Sequence, residues 1–214
     1  MSASTRKRVS ARATNESSSA FSLNVPQGVR LIVAAEDFEK LCAEDANREL
    51  RLERESDGGL IVMAPAGSDG GRRNNALSAR LWNWNDACGL GEAFDSSSGF
   101  TFPNGAVRAA DAAWILKARW EAVPADDRAR FARIVPDFVA ELRSPGDGLK
   151  ELQAKMAEYI AQGVRLGWLI DPTTQAVEVY RPGREPETLT RPTSLSGEDV
   201  LPGLVLDLKR ILFD

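Results

Sequence analysis

The chain has 214 residues, with 27 basic and 31 acidic side chains, a net charge of −4 and no histidine. That length suits one domain with a substantial core, and no apolar run is long enough to span a bilayer. Without histidine, a Ser-His-Asp triad, a Cys-His pair and any imidazole metal site are excluded.

A metal would have to be held mainly by oxygen, which favours Mg²⁺, Mn²⁺ or Ca²⁺. The overall charge gives no argument for nucleic-acid binding, which would need a local basic patch. Two cysteines, Cys42 and Cys88, are too few for a disulfide scaffold. Both fall in helix-like patterns, so buried reduced thiols are expected.

Residues 1–24 are rich in Ser, Ala, Thr and Arg and show no apolar period. They are expected to form a disordered tail ahead of one domain over 25–214. Arg6, Lys7, Arg8 and Arg12 make the tail basic; its composition is like that of targeting segments, but it lacks an amphipathic face. From Ala35 the pattern is helical, with Phe38, Leu41 and Cys42 on one face. RELRLER (Arg48 to Arg54) alternates charged and apolar positions, as a half-buried strand does. Asp57-Gly58 signals a hairpin turn, with LIVMAP as the return strand. Glu53 falls opposite Leu50 and Leu52, where an exposed strand glutamate is the simple account.

AGSDGG, from Ala66, reads as a flexible connection, since no Gly-Lys-Ser/Thr follows to make a phosphate cradle. A helix is predicted from about Arg72 to Ala87, with Leu77, Leu81, Trp84 and Cys88 on one stripe and Gly89 as its stop. Pro103-Asn104-Gly105 reads as a turn between GFTF and the strand VRAADAAWI. Asp111 falls in the middle of that strand, between alanines, where a carboxylate needs a partner or a metal. Lys117 to Arg133 reads as a helical connection.

DFVAEL then reads as a buried strand, followed by a turn at Ser144 to Asp147 and a helix from about Leu149 to Gln162. Leu149, Leu152, Met156, Tyr159 and Ile160 mostly face the core from that helix. Lys155 lies four residues after Glu151, so a surface ion pair is its simplest role. Gly163 ends the helix, Trp168 to Asp171 forms the next strand, and Ala176 to Tyr180 pairs with it. The last segment, GEDVLPGLVLDLKRIL, reads as a turn, a short strand and a helical turn.

Glu141 and Arg143, two apart on a strand, share a face. A carboxylate and a cation there, with Lys155 arriving from the next helix, suit phosphodiester cleavage if a second carboxylate joins them. Asp137 is a poor second ligand: four residues of strand span roughly 13 Å, whereas ligands of one hard ion lie about 2.0–2.6 Å from it. Asp111 qualifies if its strand neighbours that of Glu141, and the Leu142 carbonyl could add an oxygen.

The order of these features — a strand aspartate, then Glu-x-basic, then a helix with lysine — resembles the PD-(D/E)XK nuclease superfamily. More narrowly, the chain is similar to the Uma family of bacterial "putative restriction endonucleases". LRLERESDGGLIVMAP, RAADAAWI, PDFVAELRSPGD, LQAKMAEYIAQGVRLGWLIDP and LSGEDVLPG carry the likeness, from about Glu36 to Leu212. It implies a restriction-endonuclease-like α/β (α+β) fold, a central mixed β-sheet flanked by helices. It also implies a Mg²⁺-dependent (or Mn²⁺-dependent) endonuclease acting on DNA. Carried over, Asp111 takes the motif aspartate, Glu141 the second acid, Lys155 a helix lysine and Glu53 an acid of the early strand. Asp111, Glu141 and the Leu142 carbonyl would then bind the metal. Ala110 replaces the motif proline. Arg143 stands where the superfamily usually has lysine; arginine stays protonated and cannot act as a base, so Lys155 would have to serve.

Three function classes follow. The first is the metal-dependent nuclease, for which a homodimer is compatible with cutting both strands. The second is an inactive module of the same fold binding nucleic acid or a protein partner. The third is a structural domain with Asp111–Arg143 and Glu141–Lys155 as buried ion pairs. No signal peptide is recognisable, and the expected location is the cytoplasm.

Overall fold

The computed structural model describes residues 29–47 and 50–214, and the backbone alone of Lys7–Arg12 and Ala20–Val25. In chain order the early elements are β1 (Lys7–Arg12), β2 (Ala20–Val25), α1 (Ala35–Ala43), β3 (Arg51–Arg54), β4 (Leu60–Met63), α2 (Ser68–Cys88) and β5 (Gly91–Asp95). Then come β6 (Phe100–Thr101), β7 (Val107–Arg108), β8 (Ala112–Leu116), α3 (Lys117–Glu121), α4 (Ala125–Arg128) and β9 (Phe138–Leu142). The chain closes with α5 (Leu149–Ala161), β10 (Leu166–Asp171), β11 (Ala176–Tyr180), β12 (Glu187–Thr190), β13 (Ser194–Ser196) and β14 (Val205–Asp207). None of the helices is long and apolar enough to cross a membrane, among the described residues. Contacts divide the chain into two compact units, Met1–Pro65 with Asn104–Arg108 and Ala66–Pro103 with Ala109–Asp214.

In the first unit β3 and β4 pair antiparallel about the Asp57-Gly58 turn, as the sequence predicts, with Glu53 opposite Ile61. Gly58 has a φ of +93°, a conformation that glycine adopts without strain. β7 joins β3 through Arg54 and Val107, and Arg54 Nη1 donates to the Gly105 carbonyl at 2.6 Å. The tail expected over 1–24 lies mostly outside the described residues; within it, the backbone of β1 pairs antiparallel with β2.

The second unit is built on a six-stranded sheet in the order β12-β11-β10-β9-β8-β5. β9 and β10 run parallel and the other neighbours antiparallel. α5 makes the crossover that a parallel pair requires. β9 and β10 are buried along their whole lengths, which explains their nearly continuous apolar reading. The even-numbered side chains of β8, β9 and β10 pack in one core with Leu77 and Leu81 of α2 and with Leu201, Leu208 and Ile211 near the C-terminus. The odd-numbered side chains meet α5. There Gly167 leaves room for Met156: a Cβ at 167 would stand 2.5 Å from Met156 Cε.

Four local expectations are corrected. The glycine-rich stretch is partly helical, because α2 starts at Ser68. Asp69 in its first turn pairs with Arg72 and Arg73, three and four residues on, and an acid there also suits the helix dipole. Those terms offset glycine's poor helix propensity. The buried line of α2 is Arg73, Leu77, Leu81 and Asn85, whereas Cys88 is exposed and Cys42 only half-buried. Asn85 sits inside because its Oδ1 accepts the Trp114 indole N–H at 2.7 Å. VRAADAAWI is not one strand: it divides into β7 and β8, and Asp111 occupies the bend just before β8. Finally, β5 and β12 are strands that the sequence pattern did not reveal.

Candidate active site

In β9, an otherwise apolar run of five, Glu141 is the one charged residue, and it is buried. β8 pairs with β9 through Ala112↔Ala140 and Ala113↔Val139. One further step of that register sets Asp111 across from Glu141. Glu141 faces α5, whose Lys155 and Tyr159 meet it, whereas the Asp111 carboxylate is held by α2 and by the β9 backbone. Asp111 Oδ2 accepts the Leu142 backbone N–H at 2.8 Å, so a side chain does the work of a ladder carbonyl where β8 begins. Asp111 Oδ1 accepts from Asn74 Nδ2 of α2 at 3.2 Å.

α5 supplies the cation. Lys155 and Tyr159, four residues apart, lie on one helical face. Lys155 Nζ stands 2.9 Å from Glu141 Oε1, and the Tyr159 hydroxyl donates to the same oxygen at 2.9 Å. The Lys155 side chain is 14% exposed and that of Glu141 7%. Lys155 is therefore not a surface lysine paired with Glu151. It is inside, on the motif glutamate. Lys155 Nζ also lies 5.7 Å from the Tyr159 ring centroid.

Arg143 follows β9 and turns elsewhere. Its Nη1 meets Asp171 Oδ2 at 2.7 Å and its Nε donates to the Asp147 carbonyl at 3.3 Å. Burial works against ionising Asp171, but hydrogen bonds from Arg143, Thr174 and Thr173 outweigh it and hold the carboxyl below its usual range. The expected Asp111–Arg143 pair is thus replaced by Arg143–Asp171, the residue opposite in the extended β9–β10 register. Asp137 is committed to the scaffold: its Oδ2 accepts the Leu116 N–H at 2.9 Å and its Oδ1 meets Arg119 at 2.7 Å.

Glu53 belongs to the first unit. It is not an exposed strand glutamate: its side chain is 2% exposed, and Oε2 lies 3.3 Å from Arg108 Nη1. Asn74 and Tyr159 are the residues that sequence reasoning missed at the site. Tyr159 was legible only as a core residue in an apolar stripe, and nothing in the α2 pattern distinguished Asn74 from a solvated polar position.

Among the described residues no group of three or more His, Cys, Asp or Glu could hold a metal ion. Asp111 and Glu141 offer two carboxylates, and the Leu142 backbone N–H bonds to Asp111. A donor set of oxygens only, with few carboxylates, fits Mg²⁺, which is bound through one or two carboxylates and retains water.

Across residues 35–209 the sequence matches the Uma2 family, described as "Putative restriction endonuclease". The chain belongs to the Uma2 family. Among solved structures it is similar to the crystal structure of a "putative nuclease belonging to DUF820" from Anabaena variabilis, at 22% identity and a TM-score of 0.69. That likeness covers 84% of this chain and 97% of the other. No curated protein matches. The fold of this Uma2 chain is the restriction-endonuclease-like α/β fold, a central mixed sheet flanked by helices, as the sequence implied. Its family and fold together support nuclease function.

Proposed function

We propose that the protein is a Mg²⁺- or Mn²⁺-dependent endonuclease that hydrolyses DNA phosphodiester bonds. One observation supports this reading: Asp111, in the bend before β8, accepts the Leu142 backbone N–H of the strand that carries Glu141, and α5 delivers Lys155 onto Glu141. Asp111, Glu141 and the Leu142 carbonyl would hold the cation. When bound, the cation supplies Lewis acidity toward the phosphate and makes water more acidic. Lys155, a compact ammonium with three donors, stabilises negative charge on the phosphate or orients the attacking water. Tyr159 keeps Glu141 Oε1 fixed while Lys155 turns to substrate. In the net reaction one water is consumed: its oxygen bonds to phosphorus, the P–O bond to the leaving sugar breaks, and a proton ends on the leaving oxygen. Arg143 orients the β9 end through Asp171. A homodimer would present two such sites to a duplex.

The test is nicking and linearisation of supercoiled plasmid in Mg²⁺ or Mn²⁺ by wild type, Asp111→Ala and Glu141→Ala, each checked for folding. Loss of at least about 100-fold in both variants is expected. Equal cleavage by all three overturns the assignment.

A second reading is a non-catalytic module of the same fold, favoured by one observation. Arg143, at the position of the usual motif lysine, is tied to Asp171. Absence of Mg²⁺ and Mn²⁺ binding, with retained binding of DNA or a protein, would support it instead.

A further inference from the structure

We propose that Asn74 is a ligand of the same cation, through its side-chain oxygen; the inference rests on the metal-dependent reading above. Asn74 lies on α2, outside every motif that carries the family resemblance. Its Nδ2 donates to Asp111 Oδ1 at 3.2 Å. That orientation is fixed by chemistry, since an ionised carboxylate only accepts and the amide must turn its N–H₂ toward it. The amide oxygen is thereby committed to another direction. Among the described residues, Asn74 Oδ1 is the only buried side-chain nitrogen or oxygen with no hydrogen-bond partner. Leaving such an acceptor unsatisfied costs about 1–3 kcal/mol, so its retention beside a candidate metal carboxylate needs a reason.

A cation supplies one. The donor set is short of carboxylates, because no third acid joins Asp111 and Glu141 among the described residues. A neutral amide oxygen is a hard ligand of the kind that Mg²⁺, Mn²⁺ and Ca²⁺ accept. A Mg²⁺ ion approaches its ligand oxygens to about 2.0–2.1 Å, closer than the roughly 2.7–2.8 Å of a water hydroxyl donor. Asn74 would perform two tasks with one planar group: the N–H₂ aims Asp111, and the oxygen completes the ligand set from α2. The third side of the site would then come from a helix on the opposite layer from α5.

The experiment titrates Mn²⁺ into the full-length protein without DNA, reading free Mn²⁺ by electron paramagnetic resonance. Wild type, Asn74→Ala and Asn74→Asp are compared, with melting temperatures measured in chelator. We expect Asn74→Ala to weaken Mn²⁺ binding about 10–100-fold, and Asn74→Asp, which restores an oxygen, to bind at least as tightly as wild type. A purely structural role would lower the melting temperature in chelator and leave the Mn²⁺ dissociation constant unchanged. Equal binding by wild type and Asn74→Ala overturns the inference and leaves the nuclease reading standing. Weaker binding by both variants also overturns it, because the Nδ2 bond to Asp111 would then account for the effect. Absence of Mn²⁺ binding by wild type overturns the metal-dependent reading itself. Should Asn74→Ala fail to fold, Asn74→Asp decides alone: binding weaker than wild type refutes the ligand role.

Discussion

Removing the Lys155 ammonium separates the structural duty of that residue from its chemical one. Lys155→Met keeps the length of the side chain and deletes the charge that meets Glu141 Oε1 at 2.9 Å. At that distance, and with an effective dielectric of about 20, the attraction is about 6 kcal/mol, part of which desolvation offsets. Breaking a buried pair from one side typically costs about 3–5 kcal/mol. The lower end applies here, because Lys155 retains some exposure and Tyr159 still donates to Glu141. A loss of about 3 kcal/mol in a chain of this size lowers the melting temperature by about 6–12 °C. Glu141→Gln combined with Lys155→Met removes the stranded charge while leaving an oxygen for the Tyr159 hydroxyl. The double variant should recover about half or more of the lost stability, yet remain without nuclease activity. Calorimetry and plasmid nicking on the same samples read both quantities. The reasoning is refuted if Lys155→Met melts within about 1 °C of wild type, or if the double variant is as unstable as the sum of the two single changes.

Arg143→Met should cost about 3 kcal/mol at neutral pH, because it leaves Asp171 buried without its cation. Asp171 is held below its usual range in the folded protein, so the stabilisation is present above the unfolded carboxyl pKa and is lost as pH falls through the lowered folded value. Denaturant melts of the two proteins should therefore differ most near neutral pH and converge as the pH falls below the usual carboxylate range; a gap independent of pH contradicts the pairing. Gly167→Ala should destabilise by about 1–3 kcal/mol, since the new methyl meets Met156 Cε at 2.5 Å. Adding Met156→Val, which removes the colliding methyl, should recover part of that loss in the same melts, and no recovery would place the strain elsewhere.

Much of the second unit was legible from residue patterns alone. FVAEL and Trp168 to Asp171 read as apolar strands because both faces are covered, and the apolar period between them gave α5 nearly to the residue. The Asp-Gly turn between β3 and β4 was equally clear, since few residues adopt that backbone conformation. The start of α2 was not, because its two glycines argue against a helix and the Asp69–Arg72–Arg73 pairs that offset them need the helix to exist first. β5 and β12 were missed because half-exposed strands of five and four residues carry little periodic signal.

The sequence by itself determined the list of chemistries. Lacking histidine, the chain would hold any metal mainly through oxygen, and the order of Asp111, Glu141 and Lys155 carries the family resemblance. Spacing along β9 also removed Asp137 from the ligand set, since a strand cannot fold back on itself within four residues. Only the tertiary structure decided the pairings. Glu141 could have met Arg143 two residues away, but strand geometry leaves Arg143 at the β9 end, within reach of Asp171 on β10. Lys155 could have met Glu151 one helical turn away, but the packing of α5 on the sheet turns it inward onto Glu141. Asn74, remote in sequence from both carboxylates, joins Asp111 because α2 packs across β8. Each choice is a contact between elements, set by register and layer packing, which spacing along one strand or one helix does not encode.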